Sequence, residues 1–369
     1  MSLHTWNWQL KQWPEFSYDK DALQDLETQF LKSTSVALGA FKHIKAEEKD
    51  QILVDILSDE ALKTSAIEGE HLDRDSIQES IKKNLGMSTH GRKVPPAEYG
   101  ISEMMVNLYK TYNQPLSQKQ LSEWHTMLTN GRRGIFDIGH YRTHEDPMQV
   151  VSGRLDKPTI HFEAPPSQTM EFEMQRFIEW FNKIHQPDKK DLGILTKSGL
   201  AHFYFITIHP FEDGNGRIGR ALAEKSIALS LQRPALITLS QTIENAKKNY
   251  YGAIEAHNKS LEVTDWLLYF GNTIVSAQEN TLKIIEFLIS KAKFFDHYAN
   301  LLNKRQNKVI KRIFDAGHSG FIGGLSAENY TRIVQTSAST ATRDLTDLVN
   351  KKIVLKTGNL KGTRYWLNL

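Results

Sequence analysis

The chain contains no cysteine in its 369 residues. Disulfides and thiolate metal sites are therefore excluded, and nothing about it resists a reducing compartment. Long apolar runs are also missing. No window reaches the roughly 18 apolar residues that a membrane span needs, and Met1 to Leu10 lacks the basic-then-apolar order of a secretory leader. There is no internal repeat and little low-complexity sequence, and strand-like segments are few. These absences leave a globular, mainly helical, cytoplasmic protein as the expectation. Its 369 residues suggest two or three domains at about 150 residues each.

Charge is low overall but uneven. The net value is +3, yet from Asn303 onward twelve Lys or Arg face four Asp or Glu, so that tail carries about +8 and the remainder about −5. Basic character belongs to the C-terminus.

Apolar residues recur at three- and four-residue spacing in Asp21–Leu38, Ala46–Leu57, Asp75–Asn84, Glu98–Tyr112 and Thr169–His185, which predicts amphipathic helices. From Thr264 to about Leu302 no proline interrupts a similar pattern, as in a connecting helix. The clearest strands lie in Gly139–Pro165, where Val150-Val151 and Thr159–Phe162 flank a Ser152–Asp156 turn in the manner of a hairpin.

The densest chemistry lies at His209-Pro-Phe-Glu-Asp-Gly-Asn-Gly-Arg-Ile-Gly-Arg220. Gly214, Gly216 and Gly219 satisfy the dinucleotide pattern G-x-G-x-x-G, but no buried strand precedes them and no carboxylate follows at the expected distance. A loop opening onto a helix suits the segment better. Gly214-Asn215-Gly216 would then sit at a helix N-terminus, where free N–H groups and the dipole attract anions, with Arg217 and Arg220 on one side of that helix. Asp213 offers hard oxygen to Mg2+, and His209 can accept a proton near neutral pH. Taken singly, each residue has an ordinary reading, such as an Arg220–Glu224 helical pair. Together they point to a polyphosphate.

The dozen residues match every fixed position of H-x-F-x-[DE]-G-N-G-R-x-x-R, and on them the chain resembles the Fic family. The resemblance implies a helical Fic core with a β-hairpin flap, and transfer of AMP from ATP to a protein hydroxyl. It casts His209 as the base, Phe211 as a buried anchor and Asp213 as the Mg2+ ligand. Glu212, Gly214, Asn215, Gly216 and Arg217 would line the ATP site, with Arg220 at the γ-phosphate. Thr64-Ser-Ala-Ile-Glu68-Gly69 resembles the family's inhibitory pattern. Ser58 reads as the N-cap of a short helix Asp59–Glu68 closed by Gly69, and Glu68 would compete with ATP for Arg220. The 139–165 hairpin resembles the Fic flap, on which a protein target carrying a Ser, Thr or Tyr hydroxyl would dock. Self-modification is a further expectation, and a homodimer stays open, since the sequence does not reveal the oligomeric state. Tyr250, Tyr251 and Asn258 suit an adenine pocket, though core packing explains them nearly as well.

The aromatics Trp6, Trp8, Trp13 and Phe16 read as packing in an N-terminal helical domain. At the other end, helices over Gln306–Ala316, Ser326–Gln335 and Ser339–Asn350, followed by two strands in Lys351–Leu369, follow the order of a winged helix. DNA is the partner that order suggests, but Asp344 and Asp347 beside Arg343 count against it. The expected division is 1–95 N-terminal, 96–275 Fic core, 276–302 connecting helix and 303–369 winged-helix-like. Two alternatives to an autoinhibited AMP transferase remain open: a Fic-scaffold enzyme using another phosphate donor or removing AMP, and a DNA-binding regulator whose Fic core senses nucleotide.

Overall fold

Helix dominates, at 64%. The computed structural model describes residues 5–42, 44, 46–154, 157–189, 191–315 and 323–368. In chain order its helices begin with α1 (Lys20–Lys42), α2 (Ala46–Ile67), α3 (Arg74–Leu85), α4 (Pro96–Thr111) and α5 (Gln118–Leu128). Strands β1 (Gln149–Arg154) and β2 (Lys157–Glu163) follow, then α6 (Met170–Ile184), α7 (Ile194–Ile208), α8 (Asn215–Leu231), α9 (Leu239–Asn245) and α10 (Lys247–His257). The chain continues through α11 (Thr264–Tyr298), α12 (Lys304–Phe314), α13 (Ala327–Val334) and α14 (Ala338–Asn350) to β3 (Val354–Thr357) and β4 (Arg364–Leu367). Among the described residues no helix is long and apolar enough to cross a membrane.

Two compact units emerge, one of residues 1–36 with 53–281 and one of 37–52 with 282–369. The first is built on α7, whose residues from Leu195 to Ile208 are all buried. A helix apolar on every side can only sit inside. Helix α8 packs closely on it because Gly219 carries no side chain. A Cβ there would lie 2.9 Å from Ile206 and 3.2 Å from the His202 ring. From α11, Trp266 Nε1 donates to the Gly199 carbonyl at 3.0 Å. The N-terminal aromatics are packing groups. Trp13 donates to Glu173 at 3.0 Å and meets Tyr204 edge-on, while Trp8 donates to the Glu163 carbonyl of β2 at 2.7 Å.

Helix α2 corrects one expectation. It runs without a break from Ala46 to Ile67, so Ser58 is not an N-cap; its hydroxyl donates to the Val54 carbonyl at 2.6 Å inside the helix. Serine bonded back one turn satisfies itself without ending a helix, and no Gly or Pro stands nearby to end it. Gly69, at φ 85°, does turn the chain after Ile67.

The hairpin β1–β2 is antiparallel, with a register shift between Val150 and Val151 and with Arg154 opposite Lys157. Strand β1 thus continues through Ser152–Arg154, where a turn was expected; the rest of that turn, Leu155 and Asp156, lies outside the described residues.

In the second unit α12, α13 and α14 enclose Val309, Ile310, Leu325, Tyr330, Leu345 and Leu348, and β3–β4 close the chain. Helix α12 starts earlier than the expected Gln306 because Asn303 caps it and exchanges hydrogen bonds with Gln306; the expected end at Ala316 lies outside the described residues. Asp344 turns inward and is only 4% exposed. It accepts two hydrogen bonds from Arg305, at 2.7 and 3.0 Å, and one from the Tyr330 hydroxyl at 2.9 Å.

Candidate active site

The buried helix α7 delivers His209 at its C-terminal end, in the left-handed conformation at φ 52° and ψ 59°. His209 Nδ1 lies 3.2 Å from the Ile206 carbonyl oxygen. A carbonyl only accepts, so Nδ1 carries the proton and Nε2 keeps a free lone pair. Burial lowers the imidazole pKa to about 4, and the Arg142 guanidinium pushes the same way. The ring is therefore neutral at pH 7 and presents a base.

Arg142 fixes that geometry. Its side chain is 1% exposed and donates to the His209 carbonyl at 2.9 Å, to Ser167 Oγ at 2.7 Å and to the Pro165 carbonyl. Its own backbone N–H donates to Pro210 at 2.9 Å. One arginine thus ties both ends of the flap region to the loop that carries the base. Phe211 is fully buried, with the His125 ring stacked on it at 4.2 Å. Burial brings His125 down to about 4, and its neutral Nδ1 accepts the Gly139 N–H at 2.9 Å.

The turn into α8 depends on Gly214 and Asn215. Gly214 has φ 84°, open to glycine without penalty. Asn215 uses its side chain on the loop itself, accepting from Phe211 N–H at 3.0 Å and donating to the Phe211 carbonyl at 2.7 Å. The side chain of Asn215 is thus committed to the loop, and its backbone N–H stands in the first turn of α8 where a phosphate would bind. Glu212 is likewise engaged, accepting the N–H groups of Phe136 and Asp137 at 2.7 and 3.3 Å.

The two arginines of α8 are buried, Arg217 at 2% and Arg220 at 1% exposure. Arg220 Nε donates to Thr64 Oγ1 at 2.8 Å, and Nη2 donates to the Thr64 carbonyl at 3.0 Å and to Glu68 Oε1 at 2.8 Å. The Glu68 carboxylate also presses on Gly216, where a Cβ would lie 2.3 Å from Oε1. Arg217 Nη1 donates to Glu70 Oε2 at 2.6 Å, and its Nη2 reaches Asp213 Oδ1 at 3.5 Å. Arg132, from the loop after α5, bonds both Asp213 and Glu70. Glu224 pairs with Glu60 rather than with Arg220. Burial raises the pKa of both, with the charge of Glu60 adding to the rise at Glu224.

The residues considered for adenine divide. Tyr250 is 1% exposed and its hydroxyl lies 2.7 Å from His202 Nε2, in the core. Asn258, also buried, donates to the His161 carbonyl of β2 at 2.7 Å and so braces the hairpin. Only Tyr251 is open, at 40% exposure, beside Glu68. Helical spacing placed Tyr251 and Asn258 on one face, but α10 ends at His257 and Asn258 caps it instead.

Arg132, Arg142, His125 and Glu70 had no signal in the sequence, since each matters through contacts made across the fold. Among the described residues no group of three or more His, Asp or Glu could hold a metal. Asp213 alone suits Mg2+ only where phosphate oxygens and water complete the shell.

Residues 115–226 match the model of the Fic/DOC family, and residues 6–87 match a domain of unknown function (DUF4172). The protein adenylyltransferase Fic of Drosophila virilis is 29% identical over 117 residues, which is 31% of this chain and 22% of that protein. The protein of the same name in Drosophila melanogaster matches at 29% over the same shares. The match thus spans about a fifth of the curated relatives' length. A Fic family protein from Desulfovibrio desulfuricans superposes with a TM-score of 0.52 at 17% identity, covering 96% of this chain and 98% of that one. A Fic domain containing signaling protein from Bacteroides thetaiotaomicron gives 0.51 at 18%, covering 73% and 98%.

Proposed function

We propose, from the Fic/DOC domain of residues 115–226, that the chain transfers AMP from ATP to a hydroxyl side chain of a protein. The observation that carries this reading is His209, whose free Nε2 is neutral because burial holds its pKa at about 4 and because Nδ1 faces the Ile206 carbonyl. It stands next to a helix N-terminus followed by two buried arginines. The target hydroxyl oxygen would bond to the α-phosphorus as its proton passes to His209 Nε2. The α-phosphorus bond to the pyrophosphate oxygen breaks, and the departing charge falls to Arg217, Arg220 and the N–H groups of α8. Mg2+, held by Asp213 and phosphate oxygens, would supply further neutralisation there.

Glu68 keeps this site closed. A carboxylate 2.8 Å from Arg220 competes with the terminal phosphate for the same donors. The exposed apolar residues Val150, Val151 and Ile160 of the hairpin suit an extended target strand or a second copy of this chain. Incubation with ATP and Mg2+ followed by intact mass tests the whole scheme. E68G gains AMP adducts on itself or on added protein faster than the natural chain, and H209A gains none while still binding ATP. Adducts in H209A, or mass shifts with another nucleotide only, refute it.

A second reading, DNA binding by the second unit, is favoured by one observation. Of the acidic residues that counted against it, one turns away and the other is paired with a lysine. Asp344 is buried on Arg305 and Tyr330, and Asp347 bonds Gln306 and Lys351. The exposed side of α14 carries Ser339, Thr342, Arg343, Thr346 and Asn350, with Lys356 and Lys361 exposed near β3–β4. Such short hydrogen-bonding groups around one arginine suit the recognition helix of a winged helix. Anisotropy of a labelled 20-base-pair duplex tests it. Binding should weaken with salt and fall in R343A, and no binding at low salt dismisses it.

A further inference from the structure

Glu68 answers for only one of the two buried arginines of α8. Arg217 is neutralised as well, by a carboxylate outside both sequence motifs. Glu70 accepts from Arg217 through Oε2 at 2.6 Å and from Arg132 through Oε1. Arg132 in turn bonds Asp213 Oδ2, and Asp213 Oδ1 lies 3.5 Å from Arg217. Two acids and two arginines therefore close a neutral ring at the head of α8.

The turn that ends α2 aims both acids. Glu68 and Glu70 each donate their backbone N–H to the Ser65 carbonyl at 3.0 Å, and Gly69 between them donates to Ala66. Gly69 has φ 85° and open space around its missing Cβ, so the backbone conformation, not crowding, calls for glycine. This left-handed residue folds the chain so that the carboxylates on either side of it meet Arg220 and Arg217, three residues apart on α8.

We infer that Glu70 is a second internal anion, standing where a phosphate group of the nucleotide would bind Arg217, and that Arg132 is the residue that positions it. The inference rests on the nucleotide reading above. Each group that would meet a charged ligand is matched by a charge from the chain itself. Glu68 and Glu70 stand in for phosphates, and Arg132 stands in for a cation on Asp213. Arg217 is only 2% exposed, and Asp213 lies no nearer to it than 3.5 Å, so this guanidinium without Glu70 is short of an anion. Removing Glu68 alone leaves Arg217 occupied, so full opening requires the whole turn after α2 to withdraw.

Calorimetric titration of the full chain with Mg2+ and the non-transferable analogue α,β-methylene-ATP tests this, using the natural protein, E68G, E70A, E70Q and E68G/E70A. E70A and E70Q should each tighten binding about tenfold, the worth of one charge-assisted hydrogen bond, and E68G/E70A should exceed E68G by a similar factor. E70Q preserves shape and one of the two acceptor oxygens, so its gain reports charge and not an emptied space. Without nucleotide E70A should melt below the natural protein, and the analogue should raise its melting temperature more. Affinities of E70A and E70Q equal to the natural protein, with E68G/E70A equal to E68G, overturn the role of Glu70 while leaving the nucleotide reading intact. Absence of binding in every variant, E68G included, overturns the nucleotide reading and this role with it.

Discussion

Replacing Arg142 by methionine separates structural from catalytic consequences of one buried charge. The side chain makes three hydrogen bonds to carbonyl and hydroxyl oxygens, and no carboxylate is among those partners. At about 1.5–3 kcal/mol for each bond to a charged donor, their loss costs about 5–9 kcal/mol. Burial opposes this. It pulls the guanidinium down to about 10, a penalty of about 3 kcal/mol that methionine does not carry. The net loss expected is about 2–6 kcal/mol, a fall of roughly 10 °C in melting temperature for a unit of this size. Urea denaturation measures the first quantity and a thermal melt the second. A further effect concerns His209. The Arg142 charge is one of the causes that keep its pKa low, so R142M raises that pKa. Transfer needs the neutral ring, and the acid limb of the rate profile, measured in the E68G background, should move to higher pH. A loss of stability below about 1 kcal/mol together with an unmoved acid limb would refute the argument, because neither the bonds nor the charge would then matter.

Other perturbations test other parts of the fold. Glu60 and Glu224 have pKa values raised above the ordinary 4.5, chiefly by burial. A raised acid favours the folded state below its unfolded pKa and loses that contribution as pH rises through the folded value. E224Q should therefore flatten the fall of stability above pH 4.5 and exceed the natural protein at pH 8 in urea midpoint. G214A, at φ 84° with no neighbour closer than 3.5 Å to the added carbon, should cost about 1–2 kcal/mol through backbone strain alone, measured by denaturation. D344A leaves the Tyr330 hydroxyl and Arg305 without their acceptor and should destabilise the second unit by about 2–4 kcal/mol, visible as an earlier melting transition.

Local features were legible where neighbours in sequence are neighbours in space. The run from His209 to Arg220 contains a loop, a left-handed glycine and the first turn of a helix, so its chemistry could be read as a string. The apolar period of α6, the basic tail and the hairpin strands were legible for the same reason. Errors arose where a local signal met a satisfied long-range environment. Ser58 looks like a cap but is an interior helix residue bonded to Val54. Asn258 looks like a partner of Tyr251 but braces β2. Asp344 looks like a surface acid beside Arg343 yet is buried against Arg305.

By itself the sequence determined the inventory: a mainly helical chain without cysteine, a phosphate-type motif and an N-terminal acid in a recognisable setting. The helical class and the phosphate-type motif follow from composition, period and spacing, and the acid from its resemblance to a family pattern, none of which needs knowledge of what packs on what. The tertiary structure alone decided which charges meet. Arg142 reaches His209 across 67 positions and Glu70 reaches Arg217 across 147, neither of which the sequence signalled, whereas the reach of Glu68 to Arg220 across 152 was expected from the family pattern. A guanidinium pairs with whichever acceptor the packing brings within about 3 Å, and that distance is set by α7 and α8 closing on α2, not by any pattern along the chain.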